Sequence, residues 1–223
     1  MNKMERMQNI IRSLEKFFPS LLNNHIIDDE FTLLIATILS QNTSDHNSHR
    51  AFEKLINKFD IKPEVLAHLD PEEIKPLITC AGLYEIKSKR IVDVSKNVLE
   101  RFGGNLNQVI RLPLDEARKT LMSIKGIGPK TADVVLSFAG EKPIIPIDTN
   151  IFRVVDRIGF SKGRNYERTR KALEEYAPSE KMRNIHILLI QLGREICKAR
   201  NPKCNLCPIN NLCDYYAKNN NIT

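Results

Sequence analysis

A lysine stands in an unusual place in the stretch Ser123–Asp133, SIKGIGPKTAD. Gly126 and Gly128 clear the backbone there, and Lys130 arrives where a helix is about to begin. An ammonium at that point meets the positive end of the helix dipole, which disfavours its charge, while a nearby phosphate would favour it. If the dipole and desolvation prevail, part of Lys130 is free amine and therefore a nucleophile. If phosphate prevails, Lys130 is an anion-binding cation. The residues alone leave both open. The peptide N–H groups of such a hairpin suit a phosphate oxygen and read no base identity; a plain helix–helix turn would also use two glycines.

Asp148 is the second candidate. Proline-fixed apolar backbone, PIIPI (143–147), runs directly into it. A carboxylate at that spot can cap a helix. It can also stabilise the oxocarbenium-like cation formed when a sugar loses its base. An amine and a carboxylate together are what base removal through a Schiff base requires.

Cys197, Cys204, Cys207 and Cys213 follow the spacing C-x6-C-x2-C-x5-C. Four thiolates so close together can form one four-cysteine site for zinc or an iron–sulfur cluster. Zinc sites commonly use two close C-x2-C pairs; the single close pair here favours a cubane. Cys80 stands apart and reads as a small apolar core residue. Between the first two clustered cysteines, KARNPK carries Lys198, Arg200 and Lys203, which suits either phosphate contact or a solvated loop.

The elements that position these residues read as helices. Met7, Ile10, Ile11, Leu14 and Phe17 share one face of a helix over 5–18. Asp28, Asp29 and Glu30 supply first-turn acids to the nearly all-apolar segment 31–39, expected to be central and packed on every side. Thr43 or Ser44 caps the next helix, with Phe52, Leu55, Ile56 and Phe59 inward. Segment 84–102 turns Ile91, Val94, Val98, Leu99 and Phe102 inward and stops at Gly103-Gly104. Helices over 115–124 and 130–139 flank the hairpin, and 148–158, 167–177 and 181–197 complete the series. The fold class is all-α with about ten short helices, and the tail 218–223 reads as frayed.

Bulk properties narrow the partners. The 223 residues carry a formal net charge of +7, consistent with an anionic partner although not proof of one. No apolar run reaches membrane-spanning length, and the N-terminus lacks a signal-peptide core, so a cytoplasmic protein, or one free in the compartment that holds its partner, is expected.

The hairpin, lysine, distal aspartate and cysteine signature together resemble the endonuclease III family of DNA glycosylases, within the helix-hairpin-helix, Gly/Pro-rich, Asp superfamily. The likeness extends through ATILSQNTSDHN (36–47), AGLYEIKSKRI (81–91), IKGIGPKTADVV (124–135) and IDTNIFRV (147–154). The resemblance implies a two-lobed fold: a six-helix barrel over 25–139, and a second lobe of 1–24 plus 140–223 holding a [4Fe–4S] cluster. DNA would cross the cleft with the target nucleotide flipped out. Lys130 would be the Schiff-base nucleophile and Asp148 the catalytic carboxylate. Gly126, Gly128 and Lys125 would meet the DNA backbone, Gln41 and Asn42 would fill the space of the extruded base, and Leu83 would wedge the opposite strand; ordinary core packing is the other reading of Leu83. Related adenine and mismatch-thymine branches lack the lysine. The implied activity is therefore a bifunctional glycosylase and AP lyase for damaged, oxidised pyrimidines. Its partner would be duplex DNA containing a damaged base or an abasic site, bound by a monomer. The alternatives are a glycosylase for mismatched thymine or uracil, an enzyme acting mainly as an AP lyase, and a non-catalytic DNA-binding module. Three positions depart from the family pattern: Ser40, Lys125 and Asn150, all expected near the DNA-facing surface.

Overall fold

The computed structural model describes residues 1–23, 27 and 29–220. These contain thirteen α-helices, five 3₁₀ turns and no strand. The chain divides into two compact units, Ile26–Lys142 and Met1–His25 with Pro143–Thr223.

In chain order, α1 is Lys3–Phe17, capped by the Asn2 side chain. Next, α2 is Glu30–Ser40, capped by Asp29; Asp28 lies outside the described residues. Ser44 caps α3, Asp45–Ile56. Helices α4 (Pro63–Leu66) and α5 (Pro71–Ile78) follow, the latter opened by an Asp70–Glu73 capping box. Helix α6 spans Tyr84–Phe102 and ends at left-handed Gly103. Then come α7 (Asn107–Ile110), α8 (Leu114–Met122) and α9 (Pro129–Phe138). The chain returns to the unit that contains α1 with α10 (Thr149–Ile158), α11 (Tyr166–Glu174), α12 (Met182–Glu195) and α13 (Asp214–Asn219).

Four of these, α4, α5, α7 and α13, are not among the helices located in the sequence, where about ten are expected. Each spans eight residues or fewer, and α5 carries Pro76 inside it, so none shows a readable apolar period. The segment 143–147 forms no sheet pairing.

The core of the Ile26–Lys142 unit forms around α2, whose Leu34, Ile35, Ile38 and Leu39 are wholly buried. Ile91, Val94 and Val98 of α6 and Ala132, Val135 and Leu136 of α9 are equally inaccessible. Truncating one such leucine to alanine costs about 2–5 kcal/mol. Ile56 departs from expectation: it is 44% exposed, because Ala51 and Leu55 carry the inward line of α3. Cys80 is half-buried, its thiol facing the Asn47 carbonyl at 3.6 Å.

The other unit packs Met7, Ile10, Ile11 and Leu14 of α1 into one cluster with Ile151, Val154, Val155 and Ile158 of α10 and Ile185, Leu188, Leu189 and Leu192 of α12. Among the described residues no helix is long and apolar enough to cross a membrane.

Candidate active site and metal centre

The hairpin is turned by its own backbone. Ile127 N–H donates to the Ile124 carbonyl at 3.0 Å, and both isoleucines bury their side chains. Gly126 sits at φ +100°, where a side chain would be strained, and a Cβ there would come 2.9 Å from Cγ of Arg90. Gly128 differs from the sequence reading: at φ −93° it does not need glycine's freedom for the turn. A Cβ at Gly128 would meet nothing within 4 Å, so its openness faces outward. Gly128 is also the N-cap of α9, and no side chain caps that helix. First-turn N–H groups without a side-chain cap are the donors a phosphate oxygen takes.

Lys130 occupies the first turn of α9 and is half-buried. One turn later Asp133, fully buried, accepts from Nε of Arg118 at 2.6 Å and ties α9 to α8. Lys125 is exposed beside the turn.

The two loops expected to enter DNA lie in the same unit. The Gln41 amide is held twice: Nε2 donates to Thr131 Oγ1 at 3.1 Å, and Oε1 accepts from Arg90 Nη1 at 2.5 Å. Asn42 is exposed at φ +52°. Leu83 is 50% exposed at φ +49°, so it does not pack in the core.

Asp148 belongs to the other unit. The segment leading to it buries Ile144, Ile145 and Ile147, yet its backbone polar groups have no sheet to pair with. Side chains from later helices take that role. Ile145 N–H donates to Glu174 at 3.0 Å, Ile147 N–H to the Tyr166 hydroxyl at 3.3 Å, and buried His186 meets the Pro146 carbonyl at 2.7 Å. Asp148 then caps α10: Oδ1 accepts from Ile151 N–H at 2.7 Å and Oδ2 from the Asn150 amide at 2.8 Å. Asn150 in turn accepts from Arg153 at 2.8 Å, and Arg153 donates to the carbonyls of Gly193 at 2.8 Å and Cys197 at 2.7 Å. Gly193 is required at this crossing, since a Cβ would come within 2.8 Å of Asn150 Cβ. Asn150 is therefore part of the carboxylate's support, half-buried within hydrogen bonds.

The four clustered cysteines line one small cavity with Arg157, Ile196, Asn210, Tyr215 and Tyr216. Among the described residues, no three His, Cys, Asp or Glu side chains are grouped to hold a single metal ion. Tetrahedral zinc with bonds near 2.3 Å draws its sulfurs within about 4 Å of one another. The all-thiolate donor set fits the corners of an iron–sulfur cluster. Burial, and then the charge of the other cysteines, pushes the Cys204 and Cys213 thiols up, and Cys207 to about 11. Such thiols ionise readily only when a metal cation binds them, since Arg157 alone does not offset the burial. Arg157 donates to Cys197 Sγ at 3.2 Å and to the Lys198 carbonyl at 2.7 Å, while its guanidinium lies 4.7 Å from the Tyr215 ring centre. Lys198, Arg200 and Lys203 are all exposed.

Sequence reasoning missed Arg90, Arg153, Arg157, Tyr166, Glu174 and His186. The arginine pair at 153 and 157, one helical turn apart and facing the cysteine loop, carried a readable signal in its spacing.

The chain matches the family model for HhH-GPD superfamily base excision DNA repair proteins over residues 35–179, and that for the iron–sulfur binding domain of endonuclease III over 197–213. It is 35% identical to endonuclease III of Thermotoga maritima, covering 95% of this chain and 93% of that protein. Identity to endonuclease III of Escherichia coli strain K12 is 34%, over 98% and 99% of the two chains. A solved structure of a trapped endonuclease III–DNA covalent intermediate superposes with a TM-score of 0.85 at 30% identity, covering 98% of this chain and 99% of that one. A thermostable thymine-DNA glycosylase shares the fold, with a TM-score of 0.81 at 22% identity over 96% and 98% of the chains.

Proposed function

The chain belongs to the endonuclease III family of base excision DNA repair proteins, and on that premise we propose that Lys130 is its nucleophile and Asp148 its catalytic carboxylate. It is a DNA glycosylase with AP lyase activity, it binds DNA, and it carries a [4Fe–4S] cluster.

In the proposed reaction the Nζ amine of Lys130 attacks C1′ of the target nucleotide as the bond to the base breaks and the base leaves with its electron pair. The positive charge developing on the sugar is offset by Asp148, whose two oxygens are aimed by Ile151 N–H and the Asn150 amide. Opening of the sugar gives a Schiff base between Lys130 and C1′. Loss of a C2′ proton then expels the 3′ phosphate and nicks the strand. Cys197, Cys204, Cys207 and Cys213 would hold the cluster, which when bound pins the C-terminal loop as a structural centre.

The substrate in this reading is duplex DNA with an oxidised pyrimidine or an abasic site, engaged by a monomer. Gly128 and the first turn of α9 would take a phosphate, with Lys125, Lys198, Arg200 and Lys203 supplying further backbone contacts. Gln41, Asn42 and Leu83 would enter the duplex. The observation that carries the proposal is Lys130 in the first turn of a helix without a side-chain cap, directly after the Gly126 turn.

Borohydride trapping tests it on two duplexes, one with an oxidised pyrimidine and one with an abasic site. Trapping of both by the wild type, and of neither by Lys130→Ala, is expected. Trapping on the abasic duplex alone would shift the substrate to another base or to lyase action. DNA binding without any trapping would leave only a binding module.

A further inference from the structure

Lys87, the fourth residue of α6, is 1% exposed. A buried ammonium is costly unless its donors are satisfied. Here Nζ donates to the Leu39 carbonyl at 2.8 Å and to the Ala81 carbonyl at 2.9 Å. Burial, and then the charge of Arg90, lowers its pKa to about 8; either protonation state keeps the two N–H donors these bonds need.

The two carbonyls hold equivalent places. Leu39 lies in the last turn of α2, and Ala81 closes the 3₁₀ turn Thr79–Ala81. One side chain thus satisfies the ends of two helical elements, at the negative ends of their dipoles. Two residues beyond Leu39 comes Gln41, and two beyond Ala81 comes Leu83. Both loops contain a non-glycine residue in the left-handed region, Asn42 at φ +52° and Leu83 at φ +49°, a conformation that persists only where the surroundings hold it. One turn further along α6, Arg90 holds Gln41 Oε1 and lies against Gly126. An apolar residue at 87 could fill the space but could not join the carbonyls.

We propose that Lys87 is a positioning residue that fixes the spacing of the Gln41–Asn42 and Gly82–Leu83 loops, so that they enter the duplex as one rigid pair. The proposal rests on the reading that these loops invade DNA. Lys87 itself makes no contact with the nucleic acid; its effect passes through the two carbonyls. An enzyme lacking it should extrude the target nucleotide slowly from a paired duplex, yet react normally where no extrusion is needed.

The test compares wild type with Lys87→Met, which has similar length and no donor. Single-turnover base excision and 2-aminopurine fluorescence beside the lesion are followed on a paired duplex, and borohydride trapping on an abasic single strand. The expected result is at least a tenfold slower fluorescence change and excision on the duplex, with single-strand trapping within twofold of wild type. Lys87→Gln, which keeps two N–H donors, should fall between; if the methionine variant does not fold, the glutamine variant is expected to lose more than twofold on the duplex and less than twofold on the single strand. A duplex rate within twofold of wild type, or an equal loss on both substrates, would overturn the proposal. Gln41→Ala and Leu83→Ala run alongside separate it from its premise. If they slow the duplex reaction while Lys87→Met does not, only the role of Lys87 falls. If both leave it unchanged, loop invasion and the proposal fall together.

Discussion

Two turns deliver the two proposed catalytic residues, and they are built in different ways. The turn before Lys130 closes on itself: a peptide hydrogen bond from Ile127 to Ile124, a left-handed Gly126 and buried flanking isoleucines are all within a few residues. The segment before Asp148 has no such local support. Its backbone groups are taken by Tyr166, Glu174 and His186, and its carboxylate is linked through Asn150 and Arg153 to the Cys197 carbonyl. The first turn is specified by local sequence, the second by helices that follow later in the chain. A damaged local turn should therefore fail locally, whereas the Asp148 segment can be disturbed from a distance.

The largest expected effect separates charge from fold. Asparagine is as good an N-cap as aspartate but turns an amide N–H towards Asn150 in place of the Oδ2 acceptor. Asp148→Asn should therefore cost about 1 kcal/mol of stability while losing about 10²–10³-fold in single-turnover excision, the range for removing one preorganised electrostatic stabiliser. A large drop in melting temperature with excision intact would mean that Asp148 is only a cap.

The next effect tests remote support. His186→Leu should leave the buried Pro146 carbonyl without this partner at a cost of about 1–3 kcal/mol, read from denaturant unfolding. Excision should fall roughly tenfold as Asp148 loses its alignment. Unchanged excision would detach the segment's support from the carboxylate.

The hairpin carries its own internal comparison. Gly126→Ala places a Cβ at φ +100° against Arg90 and should destabilise the protein by about 1–3 kcal/mol. Gly128→Ala meets nothing within the chain and should stay within about 0.5 kcal/mol of wild type, yet weaken DNA binding. Equal stability losses for the two variants would contradict the division of roles between them.

The smallest effect concerns the exposed cations. Replacing Lys198, Arg200 and Lys203 by alanine should reduce the salt dependence of DNA binding by up to about one slope unit for each phosphate no longer neutralised, and Lys125→Ala by about one at most. An unchanged slope for the triple variant would remove the cysteine loop from the interface.

The same contrast explains what was legible in the sequence. The Gly126 turn and the cysteine spacing could be read because each lies within one short stretch of chain. The apolar periods of α1, α2 and α6 were clear because each continues for three turns or more, although Phe17, at the end of α1, is exposed where its period has run out. Ile56 defied the pattern because it adjoins Leu55 in sequence, and which of two neighbouring apolar residues turns inward depends on the packing around α3. Lys87 was invisible because a lysine reads as surface, and only the juxtaposition of Leu39 and Ala81 makes its burial tolerable. The support of Asp148 is hidden for the same reason: Asn150 reads as a departure from a family pattern, and only the fold brings it to Asp148 and Arg153.

The most direct measurement of the central claim is to reduce the enzyme–DNA intermediate with borohydride, digest it, and locate the adduct by mass spectrometry. The predicted result is one modified peptide, with the sugar remnant on Nζ of Lys130. An adduct on another lysine or on the N-terminal amine, in protein that still excises the base, would contradict it.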